Sequence, residues 1–166
     1  MERLMKMHVD PGSAGEAVIV MRRTFDAPRE VVWRAFTDPK HVVRWYGGRG
    51  FTNPVCEMDV RPGGLWRHVM RTPDGHDIEM EYVFLEVVAP EKISWQHAGR
   101  APAVQHGHPR PHMTVTFEDA GPKTKWQLVA RFASAADREL ARSMGFETVI
   151  GEGSEKLDEL VKGLVS

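Results

Sequence analysis

The spacing of apolar residues divides this chain into elements. Residues 16–25 (EAVIVMRRTF) are rich in β-branched side chains and predict a strand. Asp26-Ala27-Pro28 ends it, and Pro28 suits the first position of a helix. Over 29–37, Val32 and Phe36 stand four apart with Trp33 beside them, which is one apolar face of a short helix. Asp38-Pro39 opens a second short helix, with Asp able to cap and Pro to begin it, and Gly47-Gly48 stops it. The period then changes to two. Residues 52–60, 65–71, 78–84, 92–97, 113–117 and 123–132 each predict a strand, separated by turn sequences such as Thr72-Pro73-Asp74-Gly75 and Asp119-Ala120-Gly121-Pro122.

The faces of these strands are unequal. Trp66, His68 and Met70 share one side of their strand, and Arg67 and Arg71 the other. Met80, Tyr82 and Phe84 likewise oppose Glu79 and Glu81. Met113, Val115 and Phe117 oppose Thr114, Thr116 and Glu118, and Trp126 and Leu128 continue the apolar face. After Ser134, a capping residue, Phe146, Ile150, Gly153, Leu157 and Leu164 recur at helical spacing and predict one long C-terminal helix. Gly145, Gly151 and Gly153 interrupt it, each at a cost of about 1 kcal/mol against Ala, which predicts a kink or close packing there.

Sequential hairpins favour an antiparallel sheet, so the fold class is α+β. The apolar sheet face needs a cover, and the C-terminal helix is the long element available. Residues 1–15 read as a flexible N-terminal tail and 16–166 as a single domain. Residues 98–111 form a Gly-, Pro- and His-bearing loop, long for a hairpin connection.

Composition narrows the function. The chain has 166 residues, 22 Lys+Arg against 23 Asp+Glu, and a formal net charge of -1. That balance argues against bulk nucleic-acid binding. A single cysteine, Cys56, excludes an internal disulfide framework. No apolar run is long enough to insert in a membrane, and the N-terminus lacks the apolar stretch of a secretion signal, so the cytoplasm is the expected location. The 5 Trp, 7 Phe and 9 Met exceed what a minimal core needs.

Several segments carry a resemblance. They are Arg23-Thr24-Phe25-Asp26-Ala27-Pro28, Val32-Trp33-Arg34-Ala35-Phe36-Thr37-Asp38-Pro39 and Arg44-Trp45-Tyr46, then 50–64, 85–93 and Leu157-Asp158-Glu159-Leu160. Together they resemble the START-like (SRPBCC) superfamily, in the branch related to the C-terminal domain of the activator of heat-shock-protein-90 ATPase. The resemblance implies a helix-grip fold, similar to the birch-pollen allergen. In that fold a curved antiparallel sheet of about six to seven strands wraps a long C-terminal helix, with two short helices after the first strand. It also implies a cavity between sheet and helix.

On that footing the expected ligand-binding residues are Trp66, His68, Met70, Met80, Tyr82, Phe84, Met113, Val115, Phe117, Trp126 and Leu128 from the sheet, and Phe146, Ile150 and Gly153 from the helix. The expected ligand is a small hydrophobic or amphipathic molecule, since such sites are concave and mostly apolar with few polar anchors. Two alternatives stay open. One is a co-chaperone-like regulator of the heat-shock-protein-90 ATPase, implied by the family alone. The other is a cyclase- or dehydratase-type enzyme using His68 and Tyr82 as acid and base. His106, His108 and His112 are weak candidate metal ligands without a regular frame. No cofactor is implied, and a homodimer stays open.

Overall fold

The computed structural model describes residues 8–10, 17–98 and 109–165. Alternation of burial turns the period-two segments into one sheet. Along β2 (Val18–Phe25), Ile19, Met21 and Phe25 are fully buried while Arg22 and Thr24 face solvent. The other strands are β1 (His8–Asp10), β3 (Thr52–Met58), β4 (Leu65–Arg71), β5 (Asp77–Val88), β6 (Lys92–His97), β7 (His112–Ala120) and β8 (Lys123–Arg131). They form an open, curved, antiparallel sheet in the order β1-β2-β8-β7-β6-β5-β4-β3. The first strand of the expected fold therefore closes against the last one, with Met21 opposite Leu128 and Arg23 opposite Trp126. The consecutive hairpins run from β3 to β8. The short strand β1 pairs with β2 within the segment expected to be a tail, and it extends the six to seven expected strands by one. Residues 1–7 and 11–16 lie outside the described residues.

Two short helices follow β2. In α1 (Arg29–Thr37), Val32, Ala35 and Phe36 are buried, and Pro28 sits at the cap position, one residue earlier than expected. In α2 (Pro39–Trp45) the Asp38 side chain accepts from the Lys40 amide and Pro39 begins the helix, as the dipeptide predicts.

The expected single C-terminal helix is two: α3 (Ala135–Ser143) and α4 (Phe146–Val165). Gly145 breaks them at φ +87°, a left-handed conformation that side chains rarely adopt. Gly151 and Gly153 do not break α4. Gly153 instead lets it press on the loop after α2: a Cβ there would stand 3.1 Å from the Trp45 carbonyl oxygen and 3.2 Å from that of Gly47.

The core lies on the concave face. Trp66, Phe84, Ile93, Val115 and Phe117 are at most 1% exposed. Aromatic rings of the core interlock, with Phe36 stacked on Trp45 (4.9 Å) and Trp33 edge to face with Phe117 (5.3 Å). The close backbone approaches of α4 are to α1, α2 and α3. Space therefore remains between α4 and the middle strands.

Candidate functional site

That space is a cavity of about 390 Å³. The even-numbered residues of β4 and β5 build one wall, because a strand turns alternate side chains to the same face. Trp66, Met70, Met80 and Tyr82 line it from there. Met113, Trp126 and Leu128 line it from β7 and β8, and Phe146 and Ile150 from α4. These are sequence-predicted site residues that the fold brings together. Trp45, Tyr46, Gly47 and Phe51 add a wall from α2 and its following loop, and Met144 and Gly145 add the α3–α4 junction.

Other expected residues stand elsewhere. Phe84 stacks behind Trp66 at 5.9 Å and 10° between planes, which makes it a support of the wall. Val115 is fully buried in the core, and Phe117 packs against Trp33 and Phe36 of α1. Gly153, expected among the ligand-binding residues, meets the Trp45–Gly47 backbone instead, so its missing side chain is used for the close helix–loop packing.

His68 also lies behind the wall, and its two ring nitrogens are occupied. The Asn53 amide Nδ2 donates to the carbonyls of Val43 (2.9 Å) and Tyr46 (3.1 Å). Its Oδ1 therefore faces His68 and accepts from Nε2 at 2.7 Å. That assignment leaves Nδ1 to accept the indole N–H of Trp66 at 3.1 Å. The ring lies 4.2 Å from the Tyr46 ring and is 1% exposed. Burial pushes its pKa down from 6.5 to about 4. His68 is thus a neutral strut joining β3, β4 and the loop after α2.

Tyr82 does reach the cavity. Its hydroxyl donates to Met80 Sδ at 3.0 Å and lies 3.1 Å from the Tyr46 hydroxyl. Burial pushes Tyr82 up to about 12 and raises Tyr46 well above its usual value, so both phenols stay protonated at neutral pH. His97 packs on Tyr82 at 4.8 Å, and burial, with help from Arg110, lowers it to about 4. Among the described residues, Trp126 Nε1 and His97 Nδ1 are buried without a hydrogen-bond partner. Tyr46 and His97 are wall residues that the strand periodicity missed. Tyr46 comes from a helix end, and His97 lies at the last residue of β6, beyond the pairing of β6 with β7.

The charged groups lie at the margins. Asp77 and Glu79 line the cavity but are themselves exposed, Asp77 bonded to Arg71. Arg23 points inward from β2, 7% exposed, with Nη2 3.4 Å from Asp158 and Nη1 3.4 Å from Ser154. Cys56 is half-buried and its thiol is raised to about 11, the opposite of an activated nucleophile. Among the described residues no three His, Cys, Asp or Glu side chains gather as metal ligands; His112 sits on β7, while His106 and His108 lie outside the described residues.

A helix-grip sheet with an aromatic cavity is one expectation of the resemblance, and comparison with known proteins supports its family part. The family model described as Activator of Hsp90 ATPase homolog 1-like protein matches residues 26–162. The chain belongs to that family. It lies in the SRPBCC superfamily, whose members commonly bind hydrophobic ligands. A crystal structure of a Nitrosomonas europaea protein is similar at 26% identity and TM-score 0.80, covering 88% of this chain and 94% of that one. Proteins from Arthrobacter aurescens (22% identity, TM-score 0.84, 94% and 91% covered) and Rhodobacter sphaeroides (21%, 0.82, 95% and 99%) share the fold. No curated protein matches the sequence. No helix among the described residues is long and apolar enough to cross a membrane.

Proposed function

We propose that this member of the family is a small-molecule binding protein that holds a hydrophobic ligand between the sheet and α4. The observation that carries this reading is the cavity of about 390 Å³, within the roughly 300–1,000 Å³ range of small-molecule sites. Its walls are aromatic rings and thioethers, which are polarisable and adapt to apolar shapes. A core built for stability alone closes such space, since unfilled volume costs about 24 cal/mol per Å³. Native mass spectrometry of freshly purified protein tests the reading. A bound mass that leaves on denaturation supports it. A ligand-free protein whose melting temperature no hydrophobic compound raises overturns it.

The enzyme alternative loses its pair of groups in this geometry. His68 has no free nitrogen and does not line the cavity, so the imidazole beside the Tyr82 phenol is that of His97, 4.8 Å away, and not the expected one. The chaperone-regulator alternative rests on the family description. It requires this protein to change the turnover of a heat-shock-protein-90 ATPase, which a coupled ATPase assay measures.

A further inference from the structure

This inference rests on the ligand-binding reading and narrows the ligand. Among the described residues, no Lys or Arg lines the cavity, and its one imidazole, His97, is held neutral at physiological pH. The nearest buried cation, Arg23, lies behind Ser154 and is paired with Asp158. A carboxylate, sulfate or phosphate entering this space would leave water without meeting an opposite charge, and that desolvation is prohibitive for an ion. An ammonium group fares no better in the interior, because Asp77 and Glu79 are exposed and Asp77 is bonded to Arg71.

The polar groups of the aromatic wall are Trp126 Nε1 and His97 Nδ1, each without a hydrogen-bond partner, and the hydroxyl pair of Tyr46 and Tyr82, which can both donate and accept at one point. With Tyr82 donating to Met80 Sδ, the Tyr46 hydroxyl donates to Tyr82, and the lone pairs of the Tyr46 oxygen are left open. A thioether is a weak acceptor, and Met80 Sδ also lies 3.7 Å from the Tyr46 hydroxyl, so the relay reverses at little cost: Tyr82 then donates to Tyr46, and Tyr46 donates to a ligand oxygen in place of that long contact. A site that both accepts and donates at one point matches a hydroxyl group, which does the same.

We propose that the ligand is an uncharged hydrophobe carrying a hydroxyl group, seated with that group on the Tyr46–Tyr82 pair, and that ionised hydrophobes of the same size are rejected.

Three probes of one shape test this: 2-naphthol, neutral at pH 7; 2-naphthoate, an anion at that pH; and 2-methylnaphthalene, which has no hydrogen-bonding group. Affinities are measured by fluorescence titration of the full chain at pH 7. The expected result is 2-naphthol binding at least about tenfold more tightly than 2-naphthoate, one lost charge-bearing interaction of about 1.4 kcal/mol being tenfold. Tyr46→Phe and, separately, Tyr82→Phe weaken 2-naphthol by about threefold to tenfold, the worth of one hydrogen bond, and leave 2-methylnaphthalene unchanged. Measuring both variants guards against one that fails to fold, and retained 2-methylnaphthalene affinity reports an intact cavity. Equal or tighter binding of 2-naphthoate overturns the proposal while leaving a binding cavity in place. So does 2-naphthol affinity indifferent to both substitutions. Binding of none of the three overturns the ligand-binding reading itself.

Discussion

The His68 strut makes the fold sensitive to acid, and the size of the effect follows from its surroundings. The folded protein holds the ring neutral, with Nδ1 accepting from Trp66 and Nε2 donating to Asn53. Protonating Nδ1 would point a second N–H at the Trp66 indole N–H, with no acceptor between them. Burial lowers the pKa from 6.5 to about 4 in the fold. Each pKa unit is worth about 1.36 kcal/mol, so His68 alone contributes about 3 kcal/mol of pH-dependent stability. Its sign is set by the depressed value. Stability is complete above about 6.5, where the unfolded ring is also neutral, and is lost as pH falls toward 4, because the unfolded chain takes the proton first. Against a total of about 5–15 kcal/mol this is a large fraction. Urea unfolding midpoints measured from pH 7.5 to 4.5 read the slope. His68→Gln is the informative variant, since an amide can accept from Trp66 and donate to Asn53 without titrating. His97 is lowered in the same direction, so the variant keeps part of the slope. The difference between the two slopes is the quantity that belongs to His68. Identical pH dependence in the two proteins refutes the reasoning, whatever their stability at neutral pH.

The other expectations concern packing and charge. Asp158→Asn leaves the buried Arg23 guanidinium without its counter-charge and should cost about 3–5 kcal/mol in chemical denaturation, while the paired change Arg23→Met with Asp158→Leu should be much milder. Gly153→Ala should destabilise by about 1–3 kcal/mol despite Ala's better helix propensity, because its Cβ meets the carbonyls of Trp45 and Gly47. Gly163→Ala, where a Cβ meets nothing within 4 Å, should gain up to about 1 kcal/mol; thermal melts of the pair compare them directly. Cys56, its thiol raised to about 11, should react with iodoacetamide at pH 7.5 far more slowly than a free thiol, and rapid labelling of the native protein would contradict that environment.

Periodicity and turn chemistry determined most elements of this protein without help from its tertiary structure; β1 and the division of the C-terminal helix at Gly145 were not among them. The strand faces read from Trp66, Met80, Tyr82, Met113 and Trp126 are the inward ones, because a period of two leaves only two choices and one of them is charged. The Asp38-Pro39 helix start was legible for the same kind of local reason. Inwardness, however, is not the same as lining a cavity. Phe84 and Val115 satisfy the same pattern as Tyr82 yet stand in filled parts of the core, since the gap depends on where α4 crosses the sheet. Only the tertiary structure decided that. It also decided the role of His68, whose partner Asn53 is 15 residues away in the chain and arrives through strand pairing. Arg23 was read as part of a strand, and its buried pairing with Asp158 spans 135 positions. Local sequence carries the direction of a side chain. Its neighbours across such distances exist only after the sheet has closed β2 onto β8 and laid α4 over it.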